Sequence, residues 1–136
     1  TPMSTSDARS VLEPNVSRSD AVFNIGRTAL LVAALSQGNF EYLKVATQDR
    51  LHQPQRQKIF RQMKVIFDHA IAAGANGAFL SGAGSTIIAF TTKEEHRAFT
   101  IGYEMADAAD KSGLTGTFKV LTPAAHGVKL LSASEE

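Results

Sequence analysis

The hydrophobic period of the sequence changes at Gly74, and this change limits the folds that the chain can adopt. Before it, apolar residues recur every three or four positions over 59–71, and Gly74 supplies a left-handed helix stop. After it, two short runs rich in β-branched and aromatic residues, 78–80 and 86–90, have the composition of strands. The chain therefore combines amphipathic helices with at least one β-hairpin.

Helical patterns also lie on both sides of this hairpin. Ser17 and Asp20 form a capping box, and a helix follows it until Gly38. A shorter helix after Asn39 ends near residue 49, and 50–57 is a connection because Pro54 interrupts any smooth continuation. Another helix is expected from about 94 to 112. The residues expected to face inward are Val22, Ile25, Ala29, Val32 and Ala33 in the first helix and Phe99, Met105, Ala106 and Ala109 in the last.

Two alternating runs close the chain, at Phe118 and Val120 and at Val128 and Leu130, and they are expected to be strands. The order helix–helix–helix–β–β–helix–β–β predicts an α+β fold in which helices cover one face of a mainly antiparallel sheet. With 136 residues the chain suits a single core. We therefore expect one domain over 1–136.

Composition excludes several classes of protein. Hydrophobic residues make up 43%, charged residues 20%, and the net charge is +1, so no bulk attraction to nucleic acid or to a membrane surface is implied. There is no cysteine, and the longest apolar stretch, 28–35, is too short to span a bilayer. We expect a soluble, cytosolic-type enzyme. Since the chain opens on Thr1, we also expect that it was cut from something longer.

The glycine loop, 81–86, is the first candidate site. Gly82 and Gly84 would let backbone N–H groups form a concave nest for an anion. It is not a Walker loop, because it lacks the Gly-Lys-Ser/Thr sequence and joins strand to strand. A plain turn explains the same residues equally well.

Basic residues and one short capped segment complete the candidates. Arg50 and Arg56 flank Pro54 in a connection and have the side chain that recognises carboxylate or phosphate. Near the start, Ser4 and Asp7 predict one helical turn with Thr5 and Arg9 on one side, although a frayed terminus is an alternative. We attribute Lys58, Arg61 and Lys64 to a solvated helix face, and the spacing of His69, His96 and His126 predicts no metal site.

Three of these segments, in this order, resemble the bacterial-type homoserine kinases of the GHMP superfamily. They are Ser4-Thr5-x-x-x-Arg9 with Val11-Leu12-x-Pro14, Asp49-Arg50-Leu51-His52-Gln53-Pro54-x-Arg56, and Leu80-Ser81-Gly82-Ala83-Gly84. The resemblance implies a two-domain enzyme that transfers the γ-phosphoryl group of ATP to the hydroxyl of L-homoserine in threonine biosynthesis. It also implies that 1–136 is the C-terminal domain, with a ferredoxin-like α+β core.

The same resemblance implies which residues bind the substrate, and it places no catalytic residue in this chain. The implied substrate-binding residues are Thr5, Arg9, Arg56, Ser81, Gly82, Ala83 and Gly84. ATP and Mg²⁺ would be bound mainly by an N-terminal domain absent from this chain, so the chain alone is expected to be inactive. The expected partners are L-homoserine and that domain, with homodimerisation an open option and no nucleic acid or membrane. The expected compartment is the cytoplasm, or the plastid in a photosynthetic eukaryote.

Two positions depart from the family pattern, and two other functions stay open. Ser85 stands where the superfamily usually has proline, and Gln55 stands where many relatives carry an aromatic residue. Another GHMP kinase, such as a mevalonate or diphosphocytidyl-methylerythritol kinase, would share the glycine loop. A stand-alone amino-acid-binding regulatory module would explain the arginines without any kinase, and a purely structural protein would leave the ordered motifs unexplained.

Overall fold

The computed structural model describes residues 4–128, which form an α+β fold. Six helices and one hairpin follow each other along the chain. Their bounds are α1 Thr5–Ser10, α2 Arg18–Gln37, α3 Leu43–Ala46 preceded by a 3₁₀ turn at Phe40–Tyr42, α4 Gln53–Arg56, α5 Met63–Ala72, β1 Gly77–Leu80, β2 Ile87–Phe90 and α6 Ala98–Lys111.

The hairpin is antiparallel and lies against the longer helices. Gly77 pairs with Phe90 and Leu80 with Ile87, so the glycine loop joins strand to strand as predicted. α5 packs on the hairpin and on α6, and α3 packs on β1. Two buried clusters form the core: Phe60, Met63, Ile66, Leu80, Ala108 and Ala109 in one, and Ala70, Ala75, Ala78 and Ile101 in the other.

The predicted helix ends are confirmed where the sequence carries a cap. The Ser17 hydroxyl accepts a hydrogen bond from the Asp20 amide at 3.0 Å and donates one to the Asp20 carboxylate at 2.6 Å. Gly38 ends α2 with φ +72°, a conformation that costs little only for glycine. Pro54 lies inside the first turn of α4, where its missing N–H has no helical partner to lose, so the predicted connection 50–57 contains a short helix.

The predicted inward face of α2 is wrong. Val22, Ile25 and Val32 are 62%, 69% and 60% exposed, and Ala29 and Ala33 are exposed as well. α2 instead packs through the opposite face, where Ala34 is buried and Leu31 is half-buried. Since apolar residues occur on both faces of this helix, spacing alone did not determine which face packs inward.

The C-terminal predictions also need correction. α6 begins at Ala98 rather than near 94. Phe99 is not in the core: it is 68% exposed, and its ring packs edge-on against that of Phe118, with 5.1 Å between the ring centroids. Phe118 lies against α6 at Gly102, and 118–120 are not a strand. Of the three predicted strands that lie within 4–128, two form. The last predicted strand, 128–130, extends beyond the described residues.

Candidate functional site

Arg56, at the end of α4, lies between two of the other predicted segments. Its side chain is largely buried, with 9% of the residue exposed. Nε donates to the carbonyl of Ala8 in α1 at 3.4 Å, and Nη1 donates to the carbonyl of Gly82 in the glycine loop at 2.6 Å. One guanidinium therefore joins all three segments that the sequence singled out.

This guanidinium retains unused donors. Within residues 4–128, Arg56 forms no ion pair with a carboxylate, and its Nη2 makes no hydrogen bond. A buried cation without a counter-charge is costly, and a guanidinium matches the geometry of carboxylate and phosphate. The position is therefore suited to binding an anion.

The carboxylate of Asp49 holds the start of α4 in place. It accepts hydrogen bonds from the backbone amides of Leu51 at 3.0 Å, His52 at 2.9 Å and Gln53, and from the Asn24 side chain at 2.6 Å. Burial acts to raise the pKa of Asp49, but these hydrogen bonds outweigh it and lower the pKa below its ordinary value of 3.8. The ionised carboxylate is therefore the form that stabilises this turn.

Asn24 and Arg50 connect the same turn to α2. The Asn24 side chain donates to Asp49 and accepts from the Arg50 amide at 2.9 Å. The Arg50 side chain pairs with Asp20 at 3.6 Å and lies over the Phe23 ring at 4.0 Å. Arg50, a candidate from the sequence, thus contacts α2 in this structure.

Gln53 connects α4 to the hairpin. It is 8% exposed; its Oε1 accepts from the Leu80 amide at 2.8 Å, and its Nε2 donates to the Thr47 carbonyl at 3.4 Å. Leu80 is the last residue of β1, directly before the glycine loop. The loop is therefore fixed at its base by Gln53 and at Gly82 by Arg56.

The glycine loop presents unpaired backbone donors. The Ser81 amide donates to Thr86 at 2.8 Å and the Gly84 amide to Ser81 at 3.0 Å, which closes the turn. Gly82 and Gly84 have φ of +56° and +93°, which favour glycine. Within residues 4–128 the amides of Gly82 and Ala83 donate no hydrogen bond, so both can bind an anion.

α1 is an anchored helix rather than a frayed terminus. The Ser4 hydroxyl accepts from the Asp7 amide at 3.0 Å, and Ala8 is completely buried. Thr5 and Arg9 are exposed, and their side chains make no hydrogen bond within the described part of the chain. The structure thus places both residues on the helix that contacts Arg56, with their polar groups free.

Other charged groups behave as surface residues. Lys58 and Arg61 are exposed, and Lys64 pairs with Asp68 at 2.6 Å with both side chains more than 60% exposed. Between residues 4 and 128, no group of three or more potential metal ligands comes together, and no helix is long and apolar enough to cross a membrane.

The two described cavities lie beside the candidate site and not in it. The larger, about 350 Å³, lies between α3, α4 and α5 and is lined by Lys44, Gln57 and Phe67 among others. The smaller, about 150 Å³, lies between α2 and the hairpin. Neither of these two cavities is lined by Arg56, α1 or the glycine loop.

Sequence reasoning assigned no role to Asn24, Asp49 or Gln53. Asp49 carried a usable signal, because an aspartate side chain commonly accepts hydrogen bonds from backbone amides a few residues later in a turn. Asn24 and Gln53 act through partners 25 and 27 residues away, and no local pattern reveals such contacts.

Comparison with known proteins agrees with this fold. The chain is 40% identical over 129 residues to a homoserine kinase of Desulfitobacterium hafniense, covering 95% of this chain and 43% of the relative. It is 52% identical over 87 residues to one from Caldicellulosiruptor bescii, covering 64% of this chain and 28% of that relative. The crystal structure of homoserine kinase from Cytophaga hutchinsonii superposes with a TM-score of 0.76 at 31% identity, covering 82% of this chain and 36% of the other.

The chain thus spans less than half the length of these relatives. The family described as GHMP kinases C terminal matches residues 31–116, which is more than half of the chain and includes α4, the hairpin and α6. The chain therefore belongs to the GHMP kinase C-terminal family.

Proposed function

We propose that this chain is the substrate-binding half of a homoserine kinase, which transfers the γ-phosphoryl group of ATP to the side-chain hydroxyl of L-homoserine. The observation that carries the proposal is the buried guanidinium of Arg56. It bonds to α1 and to the glycine loop and has no carboxylate partner within residues 4–128. Homoserine supplies the missing carboxylate.

The hydrogen-bond donors of Arg56 have different partners. Nε and Nη1 of Arg56 hold the carbonyls of Ala8 and Gly82, so Nη2 is left for the substrate carboxylate. The free amides of Gly82 and Ala83 and the exposed side chains of Thr5 and Arg9 lie on the segments that this arginine joins. A carboxylate held there leaves the distal hydroxyl of homoserine free to face a phosphoryl donor.

Phosphoryl transfer depends on positioning and on neutralising the phosphate charge. In this proposal the present chain positions the acceptor, whereas ATP and Mg²⁺ are bound mainly by an N-terminal domain of the longer protein. The proposal includes a requirement for ATP and Mg²⁺. It also includes a role for the reaction in threonine biosynthesis and a location in the cytoplasm.

The alternatives differ in the ligand or in the reaction. Mevalonate also carries a carboxylate, so a mevalonate-type GHMP kinase would use both the glycine loop and Arg56, and its substrate differs from homoserine in lacking an amino group beside that carboxylate. A stand-alone regulatory module would bind an amino acid without transferring phosphate. The names of the relatives, all homoserine kinases, favour the first proposal over both.

The test uses the purified full-length protein with ATP, Mg²⁺ and either homoserine or mevalonate. ADP release is followed with a coupled assay, and the product is identified by ³¹P NMR. We expect O-phosphohomoserine and at least a hundred-fold preference for homoserine in kcat/KM. Equal or greater turnover of mevalonate would reject the assignment. The isolated chain should show no turnover above a no-enzyme control.

A further inference from the structure

Helix α2 packs on the rest of the chain through one face only. That face carries Phe23, Asn24 and Arg27. Asn24 bonds to Asp49, the Arg27 guanidinium lies over the Phe23 ring at 4.2 Å, and Arg27 also reaches the Gln48 side chain at 3.4 Å. These contacts fix the rotation of α2 about its own axis, because each comes from the same side of the helix.

The opposite side is apolar and uncovered. We define the outer face of α2 as Val22, Ile25, Ala29 and Val32. The three larger side chains are 62%, 69% and 60% exposed, and Ala29 is exposed. Their spacing of three, four and three residues is the repeat by which one helix packs along another. The outer face thus has the pattern of a helix-packing surface without a partner in this chain.

Leaving the apolar side chains of the outer face in water is energetically unfavourable, and both faces of α2 carry apolar residues. Burying a valine or isoleucine side chain stabilises a protein relative to leaving that side chain in water. Beside its polar residues, the inner face also carries Phe23, Leu31 and Ala34, and a helix with apolar residues on two sides is typical of a helix covered on both. Packing against α3 accounts for one face of α2. A second body is needed for the outer face.

The size of the outer face argues against a dimer held by this face alone. From Val22 to Val32 the helix rises about 15 Å, and a strip about 10 Å wide along it would bury roughly 300 Å² in total, counting both partners. A stable dimer needs about 1,200 Å² or more, whereas contacts between domains of one chain begin near 600 Å². The outer face is therefore far too small for a stable dimer and is better suited to form part of a contact between domains of one longer protein.

The relatives contain enough chain to provide this partner. The present chain corresponds to 43% of the D. hafniense relative and to 36% of the C. hutchinsonii structure, so more than half of each lies outside it. We propose that the outer face of α2 packs against that remaining, N-terminal part of the full-length protein. The inference rests on the proposed function in taking the chain as part of a longer kinase, but it does not depend on the substrate.

Thiol accessibility tests this directly, because this chain contains no cysteine. Ile25→Cys and Val32→Cys are made singly in the full-length protein after any cysteines elsewhere have been replaced. Val65→Cys is the matched control, since Val65 is an aliphatic residue of α5 that is 44% exposed. Labelling rates are measured with a maleimide, with glutathione as the fully exposed standard, at protein concentrations from 0.1 to 50 μM, about the range in which weak dimers dissociate.

We expect both outer-face cysteines to react at least ten-fold more slowly than the Val65→Cys thiol at every concentration. Rates equal to the control would overturn the proposal. Protection that disappears on dilution, together with a dimer mass by light scattering, would also overturn it, because the occupant would then be a second copy. Homoserine turnover is measured on the same samples. Protected thiols without turnover would reject the proposed function and support this interface. Exposed thiols with turnover would support the proposed function and reject this interface.

Discussion

Replacing Asp49 with alanine should destabilise the protein far more than replacing any exposed carboxylate. The Asp49 side chain is only 7% exposed and accepts from three consecutive backbone amides and from Asn24. Alanine leaves these donors without an acceptor. A buried donor that loses its partner costs about 1–3 kcal/mol, and water reaching part of this turn reduces the sum, so we expect a loss of about 3–5 kcal/mol.

Urea unfolding of the full-length protein, followed by circular dichroism, measures this loss. Asp68→Ala is the matched control, because Asp68 is 62% exposed and pairs only with Lys64 four residues earlier. An exposed pair of this kind contributes about 0.3–0.5 kcal/mol. Asp49→Asn provides a milder variant if alanine prevents folding, since its carbonyl oxygen can still accept from part of the turn. A cost for Asp49→Ala no larger than for Asp68→Ala would refute the reasoning.

The same carboxylate predicts the direction of a pH effect. Because the pKa of Asp49 is lowered on folding, its ionisation contributes stability that is fully present above the unfolded value of 3.8. That stability is lost as the pH falls below 3.8 through the lower folded pKa. The difference in unfolding free energy between wild type and Asp49→Asn should therefore be constant from pH 7 to 5 and shrink below about pH 4. A difference that grows on acidification would contradict this assignment.

Three further substitutions test the glycine loop and the C-terminal packing. Gly82→Val and Gly84→Val should each lower kcat/KM at least ten-fold in the full-length enzyme, because a positive φ is strained for valine and the loop amides would move. Near-normal kinetics in both variants would show that the loop is a simple turn. Gly102→Ala should lower the unfolding free energy by about 1–3 kcal/mol, since the added Cβ would lie 2.8 Å from Cγ of Phe118. An unchanged urea midpoint would show that Phe118 does not pack against Gly102.

The sequence predicted elements whose signals are local. The capping serines, the glycine stops and the position of the glycine loop between two strands depend on residues within a few positions of each other, and the structure confirms them. Those features, with the order of the three motifs, were sufficient to predict the α+β class and the family.

The sequence did not predict features that depend on distant partners. Apolar residues occur on both the inner and the outer face of α2, so which face packs inward depends on Asn24 meeting Asp49, a contact between residues 25 positions apart. Phe99 was expected in the core, but it is largely exposed and only the edge contact with Phe118, 19 residues later, packs on its ring. Residues 118–120 alternate like a strand, yet a strand also needs an edge to pair with, and sequence alternation does not provide one.

The sequence predicted which segments form the candidate site but not how their atoms are arranged. Resemblance selected Arg56, but only the structure shows that two of its nitrogens hold backbone carbonyls of Ala8 and Gly82. Arg56 thus also holds α1 and the glycine loop together, and Arg56→Ala should lower stability as well as substrate affinity. A kinetic test of its role therefore has to separate the two effects.

The most direct test of the central claim is the coupling between Arg56 and the substrate carboxylate. Wild type and Arg56→Ala are assayed in the full-length enzyme with homoserine and with 3-aminopropan-1-ol, which is homoserine without its carboxylate. A hydrogen bond to a charged group contributes about 1.5–3 kcal/mol, so Arg56→Ala should lower kcat/KM for homoserine roughly ten- to a hundred-fold, mainly through KM, with the KM for ATP unchanged. For 3-aminopropan-1-ol the substitution should change kcat/KM by less than about three-fold, because both sides of the interaction are then absent. An equal loss with both substrates, in a variant that is folded by circular dichroism, would show that Arg56 does not bind the carboxylate.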